Sequence, residues 1–287
     1  MAAAHRSFAE YVKKKFDNNF WAAAESYLEG NLDSLGIELR RIHRAGDTEI
    51  SDVKVEHVWV EDKPGMEVHF DVAVSIWFET HEGDYHYDDY DENIVWMMAH
   101  CRGDLDKNLD DFEILRVSKY NGKSRVKDPM DDSLVPIIPY EKLDDVATAF
   151  LQEYYPAALR IPMRGQDPVW VDPTELAKNM GLTVKNQRIR EDGSVFGQIY
   201  FDDTDTVMYD ANEDADVPTH IQGKTIVVDP QIYLLRNLGS FNNTIVHECV
   251  HWAKHRKAFK LEQLFNTDAS YISCEVVGDA DSRISIK

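Results

Sequence analysis

Residues 67–78 read EVHFDVAVSIWF, a stretch in which every second residue is valine, phenylalanine or isoleucine. The positions between them hold glutamate, histidine, aspartate, alanine, serine and tryptophan. Successive side chains of a β-strand point to opposite faces, so this period of two predicts a long strand with one buried face. We therefore expect the N-terminal half of the chain to build its core on a sheet that contains this strand.

Three neighbouring stretches also have strand character. Residues 53–60 contain four valines, and residues 93–101 (NIVWMMAHC) and 112–120 (FEILRVSKY) are rich in large apolar and β-branched side chains. The segments between these stretches are short and polar. The three stretches and residues 67–78 together predict a meander of four antiparallel strands.

The segment before the strands has a helical pattern. Apolar residues recur every three to four positions over residues 7–29, with Ser7 as a capping residue and Gly30 as a stop signal. A second, shorter helix is predicted over residues 32–45. Helices followed by an antiparallel meander predict an α+β domain over residues 1–125, to which the sequence assigns no chemistry.

A change of pattern marks the boundary of this domain. Residues 121–139, NGKSRVKDPMDDSLVPIIP, contain three prolines and no apolar period. Proline and glycine interrupt regular structure, so we place a linker at residues 126–139.

The remaining residues, 140–287, predict a small mixed α/β domain. A helix is expected from Tyr140, and Asp172-Pro173-Thr174-Glu175, with an N-cap, a proline in the first turn and a glutamate at the third position, is a strong helix start. A last long helix is predicted over residues 241–257. Short strands are predicted at residues 182–189, 197–201, 206–209 and 225–228.

The composition excludes several classes of protein. The chain of 287 residues is 43% hydrophobic and has a formal net charge of −21, which argues against a disordered chain and against direct binding of nucleic acid. No stretch of 18 or more apolar residues exists, so no membrane-spanning helix is expected. Three widely spaced cysteines, an odd number, exclude a disulfide scaffold and favour a cytoplasmic location.

The last predicted helix contains the motif His247-Glu248-Cys249-Val250-His251. Positions four apart lie about 40° apart around a helix and about 6 Å apart along it, so two imidazoles can converge on one metal ion. In the HExxH pattern the two histidines bind zinc and the glutamate acts as general base. We therefore predict His247 and His251 as metal ligands and Glu248 as the catalytic residue.

Residues 170–264 resemble the ImmA/IrrE family of zinc metallopeptidases. The matching features, in order, are the helix DPTELAKNMGL, the strands GQIYF and TIVV, and the helix NTIVHECVHWAKHRKAF. The resemblance implies a zincin-like peptidase fold with zinc as cofactor. It also implies a zinc-dependent endopeptidase whose substrate is a regulatory protein, such as a helix-turn-helix repressor. Under this resemblance His247 and His251 hold zinc and Glu248 is the general base.

The third metal ligand departs from the family pattern. In the family it is a glutamate in a downstream E-x-x-A-N-type helix, and no such motif follows His251. Glu275 is a candidate, but no helix is predicted around it, so we expect an incomplete site with no carboxylate of residues 262–287 near both imidazoles. Two alternatives stay open: a non-enzymatic regulatory or partner-binding protein with a peptidase fold, and a metal hydrolase whose third ligand comes from Glu275 or the N-terminal domain.

Overall fold

The structure is a computed structural model that describes residues 7–31, 34–35, 48–82, 89–160, 167, 170–265, 271–277 and 281–286. Only the backbone is described for residues 81–82, 89–91, 235, 271–277 and 281–286. The chain divides into two compact units, with the boundary between Pro136 and Ile137. Each unit is described separately below.

The N-terminal unit has the α+β architecture that the sequence predicts. Its elements are α1 (Phe8–Lys15), α2 (Asp17–Asn31), β1 (Thr48–Glu61), β2 (Glu67–Glu82), β3 (Asp89–Asp104), a 3-10 helix (Leu105–Lys107) and β4 (Glu113–Lys119). The strands form an antiparallel sheet in the order β1-β2-β3-β4. The predicted meander is confirmed, and β2 and β3 are longer than the sequence patterns indicated.

The prediction of a single helix over residues 7–29 is wrong, because the helix breaks at Phe16. Ser7 caps α1 as expected by accepting a hydrogen bond from the backbone N–H of Glu10 at 3.0 Å. Phe16 has φ −116° and ψ 17°, outside the helical region, and its ring stacks on Phe112 with centroids 3.8 Å apart. A tertiary contact therefore decides the break. The helix predicted over residues 32–45 falls almost wholly outside the described residues.

Most of the predicted linker, residues 126–136, belongs to the N-terminal unit. The N–H of Met130 donates to the carbonyl of Val60 at 2.9 Å, and the N–H of Asp62 donates to the carbonyl of Asp128 at 2.8 Å. Leu134 is fully buried. The prolines prevent a continuous ladder, yet they allow isolated bridges of this kind.

The C-terminal unit is built on a mixed sheet and a long helix. Its helices are α3 (Leu143–Tyr154), α4 (Pro173–Asn179), α5 (Gln231–Leu235) and α6 (Leu238–Phe265), with 3-10 turns at Tyr140–Lys142 and Pro156–Leu159. Its strands are β5 (Thr183–Asn186), β6 (Val195–Tyr200), β7 (Thr204–Asp210), β8 (Ala215–Ile221), β9 (Thr225–Val228), β10 (Tyr271–Val277) and β11 (Asp281–Ile286). One sheet has the order β11-β10-β6-β9-β5, in which β5 and β9 are parallel, and β7 and β8 form a separate hairpin.

Two features of this unit differ from the sequence predictions. Helix α6 begins three residues earlier and ends eight residues later than the predicted range 241–257. The segment around Glu275, which we expected to lack an element that fixes it, is a strand: the backbone of β10 pairs with β6, and Glu275 lies opposite Val195. The alternation in YISCEVV is the sequence signal for this strand.

The core of the C-terminal unit forms where α6 packs against the sheet. Ile199 of β6 and Ile245 and Cys249 of α6 are buried together. The ring of Phe201 stacks on Phe259 with centroids 4.4 Å apart. This packing fixes which face of α6 meets β6. Among the described residues, no helix combines the length and apolar character needed to cross a bilayer.

Candidate metal centre

The HExxH motif lies where α6 passes closest to β6. A Cβ atom placed on Gly197 would lie 2.6 Å from Cγ2 of Thr244 and 3.0 Å from Oε1 of Glu248. Contacts between real Cβ atoms and other heavy atoms are longer than this, so only glycine fits at this point of the strand. The missing side chain of Gly197 thus lets the helix carry Glu248 directly against the sheet.

The two motif histidines converge, as the spacing predicts. Nε2 of His247 and Nε2 of His251 are 3.0 Å apart, and the ring planes are nearly perpendicular, at 87°. Two imidazole nitrogens on one tetrahedral zinc, at Zn–N distances of about 2.0–2.1 Å, would lie about 3.3 Å apart. The observed separation is that of an N–H···N hydrogen bond between two imidazoles, and it is about 0.3 Å shorter than the spacing of two ligands on one zinc ion.

His255 extends the row by one further turn of α6. Its Nδ1 atom lies 2.6 Å from Nδ1 of His251, on the opposite side of that ring from His247. A histidine that binds a metal through one ring nitrogen commonly uses the other in a hydrogen bond that fixes its orientation. His255 is placed to orient His251. It contacts Nδ1 of that ring, whereas Nε2 of the same ring faces His247.

Burial keeps the histidine pair neutral. The side chain of His251 is buried, and this burial, together with the nearby charges of His255 and His247, lowers the pKa of His251 to about 3. The pKa of His247 is also lowered by the protein atoms around its ring, although part of the residue is exposed. Neutral imidazole is the form that binds metal ions.

Glu248 follows His247 on α6, and its side chain packs against β6 at Gly197. The residue is fully buried, and neither carboxyl oxygen has a hydrogen-bond partner among the described residues. Burial raises the pKa of Glu248 to about 8. An unpartnered buried carboxyl is costly, which makes it a candidate for a chemical role. Cys249 faces the core instead, as expected for a small apolar residue.

The described residues supply two ligands of the predicted zinc site. Among them, no three histidine, cysteine, aspartate or glutamate side chains are arranged to hold a metal ion. Glu262 is part of α6 and joins no such group. The side chain of Glu275 lies outside the described part of the chain. The donor chemistry of His247 and His251 fits zinc, and their convergence fits two of its four positions.

The comparisons with known proteins assign this chain to no family. No model of a known protein family matches the sequence. No curated protein matches it either. A solved structure described as "Ntf2 like protein involved in plasmid conjugation" aligns with 63% of this chain and 76% of its own, at 10% identity and a TM-score of 0.19.

Sequence reasoning missed two residues that shape the centre. Gly197 stands in the GQIYF strand, but its role depends on the approach of α6, which no local pattern reports. Thr244 is buried, and its hydroxyl donates to the carbonyl of Ser240 at 3.0 Å. The only available signal for either residue was its position in the stretches that resemble the ImmA/IrrE family.

Proposed function

We propose that the chain is a zinc-dependent endopeptidase of the ImmA/IrrE type, with its metal held by His247 and His251. The observation that carries this proposal is the 3.0 Å approach of the two Nε2 atoms, on the same helix as Glu248, which is buried and has no hydrogen-bond partner among the described residues. Burying imidazoles and a carboxyl on one packed helix costs free energy, and such a group of side chains is a candidate binding or catalytic site.

Each residue has a separate role in this proposal. His247 and His251 donate neutral ring nitrogens to the metal, and His255 keeps the ring of His251 oriented through its Nδ1 atom. A bound zinc ion supplies Lewis acidity that water and side chains alone lack. Glu248 accepts a proton from the attacking water on one carboxyl oxygen and later delivers it to the leaving amine.

The proposed substrate is a regulatory protein in the cytoplasm, such as a helix-turn-helix repressor. This part rests on the resemblance of residues 170–264 to the ImmA/IrrE family. The acidic chain, with its net charge of −21, favours basic partners, which is compatible with a DNA-binding protein as substrate. The same charge opposes direct binding of nucleic acid.

A second candidate is a non-enzymatic regulatory or partner-binding protein that keeps the peptidase fold. Two observations favour it: the described residues supply two ligands where a catalytic zinc site uses three, and Glu248 is fully buried. In this candidate the histidine pair would stabilise the fold or bind metal without catalysis.

Zinc binding tests the site itself. We expect the purified chain to bind one equivalent of zinc in competition with a chromophoric chelator. The His247→Ala and His251→Ala variants should bind much more weakly, because a ligand is lost. His220→Ala is the matched control: His220 is an exposed histidine of the same unit, on β8, and should not affect binding. Equal zinc binding by all four proteins would contradict the proposal.

Peptide cleavage separates the two candidates. The enzyme should cleave members of an internally quenched peptide library when zinc is present, and Glu248→Gln should bind zinc normally yet cleave none. Zinc binding that depends on both histidines, with no cleavage of the library or of purified helix-turn-helix repressors, would favour the non-enzymatic candidate.

A further inference from the structure

A second cluster of reactive side chains lies in the N-terminal unit. Oδ1 of Asp71 is 2.6 Å from Nδ1 of His100, and Nε2 of His100 is 3.4 Å from Oγ of Ser118. A carboxylate, an imidazole and a hydroxyl therefore follow one another through hydrogen-bond contacts. We call these three residues the Asp71 triad.

The register of the sheet brings the Asp71 triad together. Asp71 of β2 pairs with His100 of β3, and Ser118 of β4 pairs with Met98, two residues from His100. Phe70, next to Asp71 on β2, packs edge-to-face on Phe8 of α1, with ring centroids 5.2 Å apart. Side chains alternate along a strand, so the Asp71 triad lies on the face opposite the helices.

In its neutral form, His100 can take a tautomer that suits a general base. The carboxylate of Asp71 can only accept, so Nδ1–H of His100 donates to it. The neutral ring then carries a lone pair on Nε2, and this nitrogen accepts the hydroxyl proton of Ser118. This is the arrangement in which histidine acts as a general base toward a serine nucleophile.

Asp71 itself is firmly held. Its second oxygen accepts a hydrogen bond from Oγ of Ser124 at 3.0 Å and one from the N–H of Arg125 at 3.3 Å. The residue is 8% exposed, whereas Ser118 is only half-buried. The carboxylate is thus inaccessible while the nucleophile can be reached from solvent, as catalysis requires.

The surroundings of Ser118 fit an acyl substrate. The pocket at Ser118 is also lined by Lys119, Lys123 and Arg125, three positive groups on a strongly acidic chain. The N–H of Tyr120 points to β3 and donates to the carbonyl of Trp96, so alternation turns the N–H of Lys119 toward the open edge of the sheet. These groups can stabilise negative charge that develops on an acyl oxygen.

Aromatic rings and a cavity flank the Asp71 triad. Tyr120 lies 5.6 Å from Trp96 and 6.2 Å from Trp59, ring centroid to ring centroid, and all three residues are half-buried. A cavity of about 280 Å³ lies beside Asp71 and His100, and neither Ser118 nor these rings line it. Half-exposed aromatic rings bind flat apolar groups, so the rings are the feature that favours an aromatic substrate.

We infer that the Asp71 triad is a serine hydrolase site for small carboxylic esters that carry an aromatic group. Oγ of Ser118 bonds to the ester carbonyl carbon while its proton passes to Nε2 of His100. The bond to the leaving alcohol breaks, and the alcohol takes that proton. Water then attacks the acyl carbon and gives a proton to His100. The bond to Ser118 breaks, the proton returns to Oγ, and the acid is released.

A fluorophosphonate probe and 4-nitrophenyl acetate test this inference on the full chain. The probe should modify Ser118, as located by peptide mass spectrometry, with loss of fluoride. Ser118→Ala and His100→Ala should lower ester hydrolysis by at least about a hundredfold, the usual contribution of such groups. Asp71→Asn should lower the rate of hydrolysis, because the His100 ring loses the carboxylate that accepts from its Nδ1–H.

Matched controls separate this site from the histidine pair of α6. Ser51→Ala removes an exposed serine of β1 and should change neither labelling nor hydrolysis. Hydrolysis should also persist in chelator. Probe labelling that misses Ser118 in the folded wild-type chain would overturn the inference, as would hydrolysis that is equal in wild type and a folded Ser118→Ala variant.

Discussion

Replacing Gly197 with alanine tests the contact on which the metal centre is built. The new Cβ would lie 2.6 Å from Cγ2 of Thr244 and 3.0 Å from Oε1 of Glu248. Thr244 cannot easily turn away, because it is buried and its hydroxyl donates to the carbonyl of Ser240. The methyl group must therefore push α6 away from β6.

Two opposing terms set the size of the effect. Alanine would gain about 0.5–1 kcal/mol over glycine in a strand interior, since glycine loses more conformational entropy on folding. Overpacking of a well-packed core costs about 1–3 kcal/mol. We expect Gly197→Ala to lower the free energy of unfolding by about 1–2 kcal/mol in urea titrations followed by circular dichroism, with chelator present.

A second substitution identifies the cause. Thr244→Ser removes Cγ2 and keeps the hydroxyl, so the Gly197→Ala/Thr244→Ser double variant should regain part of the loss. Gly30→Ala is the control, because a Cβ on Gly30 meets nothing within 4 Å. A Gly197→Ala chain as stable as wild type, or a double variant with no recovery, would refute the described approach of α6 to β6.

Two further predictions concern the same unit. In the metal-free chain, Glu248 should contribute a loss of stability as the pH rises from about 4 to 8, because burial raises its pKa to about 8 and the unfolded state releases its proton first; below about pH 6.5 the lowered pKa of His251 contributes in the opposite direction. This loss of unfolding free energy is at most about 4 kcal/mol. Urea titrations at pH 5 and pH 8 should show it in the wild type and not in Glu248→Gln. An equal change in unfolding free energy between the two pH values in both proteins would contradict the prediction. Asp172→Ala should lower stability by about 1 kcal/mol, because Asp172 caps α4 by accepting hydrogen bonds from the N–H groups of Thr174 and Glu175. Thermal melting checks this loss of stability, and Asp172→Asn is the control because asparagine can still cap the helix. An Asp172→Ala variant with the melting temperature of the wild type would contradict the prediction.

Local patterns were sufficient for the elements that carry a strong period. The alternation over residues 67–78 predicted β2, and the start signal at Asp172 predicted α4, because both depend on residues close in sequence. The break at Phe16 could not be predicted, since the apolar period continues through it and the contact with Phe112 decides it. Strand β8 was missed because Pro218 weakens its strand signal.

The candidate sites show the same limit. The spacing of His247 and His251 predicts convergence, because helix geometry is fixed by local sequence. The place of Gly197 against Glu248 depends on tertiary packing, and the sequence alone gives no measure of it. The Asp71 triad joins residues from three strands, so it becomes visible only once the register of the sheet is known.

X-ray absorption at the zinc edge of the zinc-loaded chain tests the central claim most directly. The account predicts one zinc per chain with two imidazole nitrogens at about 2.0–2.1 Å, and one fewer imidazole in the His247→Ala variant. The same spectrum reports whether any further protein ligand is oxygen or sulfur. A spectrum without imidazole scattering, or one that His247→Ala and His251→Ala leave unchanged, would contradict the account.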